Sequence, residues 1–299
     1  MQTLTEAEVR QRLDPAALID GLEFAFRERY PAVVIPTRTH IPIHGGILLT
    51  MPCYDPSSDA FGMKIVAVKN GVHATYLLID PLTGSPKLTI EANYLTDIRT
   101  AATSALATKF LARTGAKTLG IFGTGRQGRA HLTILPLVRD FERALICGRD
   151  EKGTWDFIAS CGSTLRVQAA SPNECAAESD VLCTCTTAVT PLFDGNLVRP
   201  GTHLNLVGAF QPHTREVDSL TIKRSRVLVD MYDGALSEAG DLLMPMNEGV
   251  IKRADLMGDL HELVTRKKPG RTSDHDITLF KSVGCALEDL VAAELLLSN

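Results

Sequence analysis

The segment TLGIFGTGRQG, residues 118–128, sets an apolar run directly before Gly123, Gly125 and Gly128, with a helix-compatible stretch from Gln127. Few folds accommodate that arrangement. The first glycine permits a tight turn and the second lets backbone approach a pyrophosphate. The third lets a helix pack closely on the strand, and the helix amino terminus stabilises the anion. A bare G-x-G-x-x-G is often only a glycine-containing turn, so the context decides. Here apolar runs continue to alternate with helical stretches: RALIC, VLCTC, HLNLVG and RVLVD. Such alternation builds a parallel sheet with helices on both faces. The expected fold class is α/β, with a Rossmann-type doubly wound parallel sheet accompanied by a second α+β domain.

Upstream of Lys117 the pattern is different. Thr5 with Glu8 three residues later forms a capping signal, and apolar residues recur at helical spacing through Leu13, Leu18 and Leu22, which predicts one surface helix. From Val33 to Asp80 short runs such as GGILLTMP, FGMKIVAV and TYLLID are bounded by Gly, Pro, Asn or Asp and predict a mostly antiparallel sheet. LTDIRTAATSALATKFLA, dense in helix formers with Leu95, Ile98, Ala102, Leu106 and Phe110 on one face, predicts a long helix. The final segment, TLFKSVGCALEDLVAAELLLSN, reads as another amphipathic helix with a polar start at Lys281 and Ser282.

A chain of 299 residues with 44% hydrophobic and 22% charged residues suits two packed domains and gives no sign of disorder. Its net charge of −4, with basic residues scattered, argues against nucleic acid as a partner. Seven cysteines, with Cys183 and Cys185 alternating inside an apolar run, read as reduced thiols and not as a metal knuckle or disulfide framework. His131, His203, His213 and His275 show no metal-ligand spacing. The opening MQTLTEAEVRQRLD carries charges where a signal peptide needs apolar residues, and no run is long enough to span a bilayer. A cytoplasmic protein without a membrane partner is the expectation.

The strand RALIC runs into Gly148-Arg149-Asp150, where an acidic residue usually accepts the adenine-side ribose hydroxyls. Gly148 leaves room there, and Arg149 suits a 2'-phosphate. The expected cofactor is NADPH. NADH stays open, because Asp150 would serve a ribose diol.

Taken in order, PTRTHI, GMKIV, IDPLTGSPKLTIEANYLTDIRTAATSALATKFLA, the glycine turn, NLVGAFQPHTREVD, VLVD with EAGDL after it, and DITLFKSVGCALEDLVAA resemble the ornithine cyclodeaminase/μ-crystallin family over nearly the whole chain. The resemblance implies a substrate-binding and dimerisation domain, residues 1–112 with 276–299, and an inserted dinucleotide-binding domain, residues 113–275. It implies a homodimer and a small amino- or imino-acid substrate. Arg38 and Lys64 match the family's carboxylate-binding arginine and lysine, and Arg99 and Thr100 match an Arg-Thr pair between substrate and cofactor. The chemistry agrees: a guanidinium grips a carboxylate through two parallel hydrogen bonds, and an ammonium adds a point charge. Gly123, Thr124, Gly125, Arg126 and Gln127 fall at the pyrophosphate, Thr186 in the TxT segment, and Val207 and Gly208 beside the nicotinamide. Ser282 and Val283 match a segment approaching cofactor and substrate. Lys64 and Arg99 are the expected catalytic residues.

Two departures bear on the reaction. Cyclodeaminases of the family carry an aspartate in the VGxD motif, two residues before a proline, and this chain has Phe210 there. A phenyl ring cannot carry a proton, so the expected activity is NAD(P)H-dependent reduction of a cyclic ketimine such as pyrroline-2-carboxylate, with Phe210 as an apolar wall of the substrate site. Ornithine cyclodeamination, another amino-acid dehydrogenase or dehydratase reaction, and a non-catalytic NADP-binding crystallin-like role are the alternatives. The second departure is VKNGVHATYLL, shorter than the family's usual loop, which leaves the substrate's ring open and puts His73 near the turn.

Overall fold

The computed structural model describes residues 2–69 and 71–298; Asn70, in the short VKNGVH segment, lies outside them. The chain forms two compact units, Met1–Thr103 with Gly284–Asn299, and Ser104–Val283.

The first unit contains β1 (Gln2–Leu4), α1 (Glu6–Arg12), α2 (Pro15–Phe24), β2 (Thr39–Ile43), β3 (Gly46–Asp55), β4 (Ala60–Val68), β5 (Val72–Ile79), β6 (Pro86–Glu91) and the start of α3 (Asn93–Leu111). Its sheet has the order β1-β6-β5-β4-β3-β2. All its pairings are antiparallel except β1 with β6. Period-two alternation puts Met51 and Cys53 of β3, Lys64 and Val66 of β4, and Tyr76 and Leu78 of β5 on the buried face. The terminal helix α11 (Ala286–Ser298) packs on β3, β4 and β5, and α2 packs on α11. Leu18, Leu22 and Leu290 are fully buried, each worth about 2 kcal/mol of transfer free energy. On the opposite sheet face Phe61, Met63, Ile65, Leu77 and Ile79 are half-buried.

The amino-terminal helix expected to run through Leu22 is two helices. Thr5 and Glu8 form the capping box of α1, but Asp14 accepts the amides of Ala16 and Ala17 with Pro15 in the first turn, and so starts α2 afresh.

The second unit holds β7 (Thr118–Phe122), α4 (Arg126–Ile134), β8 (Arg143–Cys147), α5 (Glu151–Ser160), β9 (Arg166–Ala169), α6 (Pro172–Glu178), β10 (Val181–Thr184) and β11 (His203–Leu206). It continues with α7 (Ser219–Arg224), β12 (Ser225–Val229), α8 (Tyr232–Glu238), α9 (Gly240–Asn247), β13 (Gly258–Asp259), α10 (Leu260–Val264) and β14 (Ile277–Lys281). These strands make one eight-stranded sheet, ordered β13-β12-β14-β11-β10-β7-β8-β9, and every pairing in it is parallel. From β7 the chain moves outward through β8 and β9, then returns to β7's other side at β10. That reversal is the switch point where doubly wound sheets bind dinucleotides.

Strand β14 corrects the reading of the last segment as helix from its start. Ile277–Lys281 lies between β11 and β12 with all five residues buried, so both faces are covered and no period marks it as strand. Ser282 and Val283 are accordingly connection, and the helix begins only at Ala286.

Candidate functional site

In the second unit, Gly123 has φ of +109°, and a Cβ there would stand 2.5 Å from the Cys185 carbonyl oxygen. A Cβ on Gly128 would stand 2.0 Å from the Gly123 carbonyl oxygen, so the helix meets the turn only through glycine. Around Gly125, which caps α4, nothing lies within 4 Å of the same position. Two glycines are thus needed for packing, and the third leaves open backbone at a helix amino terminus, which fits a pyrophosphate. Thr124 is half-buried, and Arg126 is exposed at the first turn, followed by Gln127.

At the end of β8 the Asp150 carboxylate caps α5, accepting from the Gly153 amide at 2.7 Å. Arg149 is exposed and donates to Thr187 Oγ1 at 3.3 Å. The acid that would bind a ribose diol is therefore engaged locally, while the cation projects beside it. Beyond the switch point, Thr186 and Gly208 are held by the buried Glu216, and Phe210 packs on the unit's core. Val207 donates its amide to the Thr184 carbonyl at 3.1 Å. Ser282 Oγ and the Val283 amide both donate to Asp230, so the Ser282 hydroxyl is a buried structural donor.

The first unit gathers a different chemistry. Lys64, midway along β4 and 1% exposed, donates to Asp289 Oδ1 at 2.8 Å. Arg99, 5% exposed, pairs with Glu288 Oε2 and has its Nε 3.1 Å from the same Asp289 oxygen. Arg38, just before β2, donates to the Gly284 carbonyl oxygen at 3.2 Å. Gly284 has φ of +92°, and a Cβ on it would lie 2.8 Å and 3.0 Å from the two Arg99 terminal nitrogens, so the guanidinium rests against bare backbone. Thr100 stands beside Arg99 in α3 and donates to the Thr96 carbonyl at 2.7 Å. Arg38, Lys64 and Arg99 thus gather around one buried stretch of backbone and carboxylate, a grouping of cations that suits a substrate carboxylate.

Burial is the largest influence on Lys64 and pushes its pKa from 10.5 down to about 8; the Arg99 and Arg38 guanidiniums push the same way, and Asp289 opposes them. Arg99 goes the other way, since Asp289 and Glu288 outweigh its burial.

The sequence-derived residues thus fall into sets. Arg38, Lys64, Arg99 and Thr100 belong to the first unit; the glycine turn with Arg149, the Thr186–Gly208 segments with Phe210, and the Ser282–Val283 connection belong to the second. His73 is exposed on β5. Sequence reasoning missed Glu288, Asp289 and Gly284. The signal was present: adjacent acids in the otherwise apolar CALEDLVAA would be costly to bury unpaired.

A Rossmann-type glycine turn and a buried cluster of cations are features suited to a nucleotide-dependent protein that handles an anionic small molecule. The whole chain, residues 1–299, matches the ornithine cyclodeaminase/mu-crystallin family, and the protein belongs to it. It is similar to ketimine reductase mu-crystallin of Rattus norvegicus, with 37% identity over 273 residues, 88% of this chain and 84% of that one. The structure is similar to that of Thermococcus litoralis Delta(1)-pyrroline-2-carboxylate reductase in complex with NADH and L-proline, with TM-score 0.96 and 36% identity, covering 100% and 97% of the two chains. An archaeal alanine dehydrogenase dimer with bound NAD is similar at TM-score 0.94 and 28% identity, covering 100% and 95%.

Proposed function

We propose that this chain is an NAD(P)H-dependent reductase of a small cyclic ketimine carboxylate such as pyrroline-2-carboxylate, giving the cyclic amino acid. The observation that carries the reading is the buried Lys64–Asp289–Arg99 cluster with Arg38 on Gly284, a gathering of three cations that suits a monocarboxylate. Phe210, where the family's cyclodeaminases hold a proton-carrying aspartate, favours reduction over ring-closing amine loss. The similar reductases from rat and Thermococcus litoralis support the same chemistry.

Arg38, Lys64 and Arg99 hold the carboxylate. Thr100 lies beside that grip. Within the second unit, Phe210 and Val283 add apolar surface that keeps water from the nicotinamide half. Gly123, Thr124, Gly125, Arg126 and Gln127 hold the pyrophosphate, Arg149 the 2'-phosphate, and Thr186, Val207, Gly208 and the Ser282 connection support the nicotinamide half. The bound reduced nicotinamide supplies hydride, and the imine nitrogen arrives protonated.

Mixing the protein with pyrroline-2-carboxylate and following the reduced-nicotinamide absorbance tests this. Rapid oxidation, with NADPH favoured over NADH, is expected; no oxidation with either cofactor despite nucleotide binding rules the reading out. NADPH is preferred because Asp150 is engaged as a cap and Arg149, among the described residues, bonds a threonine hydroxyl and no acid.

The pH dependence follows from Lys64. Its carboxylate-binding form is the ammonium, and its pKa in the folded protein is lowered to about 8. Since kcat/KM reports the free enzyme, it should fall above about pH 8, tending to tenfold per unit. The imine's own deprotonation adds a separate limb. Lys64→Arg should remove the enzyme's limb and leave the imine's; an unchanged profile in that variant would mean that Lys64 does not titrate in this way.

The half-buried apolar face of Phe61, Met63, Ile65, Leu77 and Ile79 supports a homodimer, as does the likeness to a dimeric alanine dehydrogenase. A monomeric mass by light scattering would exclude it. Reduced thiols at all seven cysteines support a cytoplasmic setting, to be checked by locating the tagged protein in cell fractions.

A further inference from the structure

Glu216 lies in the loop between β11 and α7 and is fully buried, yet five donors converge on it. Its Oε1 accepts from the Thr186 amide and the Thr186 hydroxyl, both at 2.7 Å. Its Oε2 accepts from Thr184 Oγ1 at 2.7 Å, the Gly208 amide at 2.8 Å and the Ala209 amide at 3.3 Å. These donors come from two segments only, those leaving the carboxyl ends of β10 and β11. Both lie on the opposite side of β7 from β8.

A second layer closes a ring around the same backbone. Lys281 Nζ donates to the Ala209 carbonyl at 2.6 Å and to Asp241 Oδ2 at 2.9 Å, and Asp241 Oδ1 accepts the Glu216 amide at 2.7 Å. Ala209 is therefore fixed at its nitrogen by Glu216 and at its oxygen by Lys281, immediately before Phe210. Gly208 completes the fit, since a Cβ there would lie 2.2 Å from the Thr186 carbonyl oxygen.

We propose that Glu216 is a positioning residue that locks the 184–186 and 207–209 segments together and so sets the seat of the nicotinamide half of the cofactor. The inference rests on the dinucleotide-binding reading above and deepens it. Doubly wound sheets bind one mononucleotide half on each side of the switch point. Arg149 at the end of β8 marks the adenosine side, so the loops after β10 and β11 belong to the other half. Only an ionised carboxylate takes five donors. Burial and Asp241 raise the pKa of Glu216, while Lys281 and the two threonine hydroxyls favour its charged form. An amide in its place would aim an NH2 group at amide or hydroxyl donors whichever way it turned.

The test compares two ligands on the full chain: NADPH, and 2'-phospho-ADP-ribose, which lacks the nicotinamide. Glu216→Gln is expected to weaken NADPH about 10- to 100-fold, the consequence of leaving buried donors unsatisfied, with 2'-phospho-ADP-ribose unchanged within about twofold. Thr184→Val removes one donor while conserving shape, and is expected to weaken NADPH about threefold with the same selectivity; it carries the test if Glu216→Gln does not fold. Equal weakening of both ligands, or no weakening of NADPH, overturns the inference. Failure of the unaltered protein to bind NADPH would instead sink the dinucleotide-binding reading itself.

Discussion

Arg99→Met is expected to lower kcat/KM by about 10³-fold and to destabilise the fold by about 3–5 kcal/mol. The activity loss follows from removing a guanidinium that offers two charged hydrogen bonds to a carboxylate, at about 1.5–3 kcal/mol each. The stability loss has a separate source. Arg99 is a cation on Glu288, a fully buried carboxylate that also accepts the Cys285 amide, and its removal breaks a buried ion pair in a low dielectric. Asp289 loses the Arg99 guanidinium as well but keeps Lys64, which donates to it at 2.8 Å. Arg99→Lys separates the two effects. It keeps the charge but not the planar fork, so the melting temperature should recover more than kcat/KM does. Steady-state kinetics and thermal unfolding on both variants check this; a methionine variant with unaltered kcat/KM removes Arg99 from the proposed site.

Gly284→Ala should lower kcat/KM by about 10²-fold through geometry alone. A methyl group there would meet the Arg99 terminal nitrogens at 2.8 Å and 3.0 Å, and φ of +92° is unfavourable to any residue with a Cβ. The same residue's carbonyl holds Arg38, so a shift of the Gly284 backbone misplaces both arginines at once. Displacing an orienting group by about 1 Å is enough for such a loss. The effect should appear as a raised KM for the imine with NADPH binding unchanged, because the dinucleotide cradle is in the second unit. Unchanged KM would show that the guanidiniums do not depend on this glycine.

What the sequence disclosed and what it withheld divide along a physical line. The glycine turn was legible because Gly123, Gly125 and Gly128 answer backbone requirements that act within a few residues. The capping box of Thr5 and Glu8 was legible for the same reason. Arg38, Lys64 and Arg99 came from family resemblance, since a lone cation in a strand or helix usually signals only a wet face. Their partners stayed hidden: Glu288 and Asp289 meet them across separations of 189 and 225 residues, and acids in a first helical turn ordinarily read as complements to the helix dipole. Glu216 was hidden similarly, because its donors converge only when β10 and β11 lie side by side. Strand β14 was misread because Ile277–Lys281 is buried on both faces and offers no alternation to count. The Asp14-Pro15 break was readable, as a second cap followed by proline, but the continuing apolar spacing through Leu18 and Leu22 masked it.

The central claim is that hydride passes from reduced nicotinamide to the carbon bearing the carboxylate. NADPH deuterated at the transferring nicotinamide carbon, incubated with the protein and pyrroline-2-carboxylate, measures this directly by mass spectrometry of the product. The account predicts proline carrying one deuterium at its α-carbon. Unlabelled product, or no proline from the imine while ornithine releases ammonia without net consumption of cofactor, would contradict it.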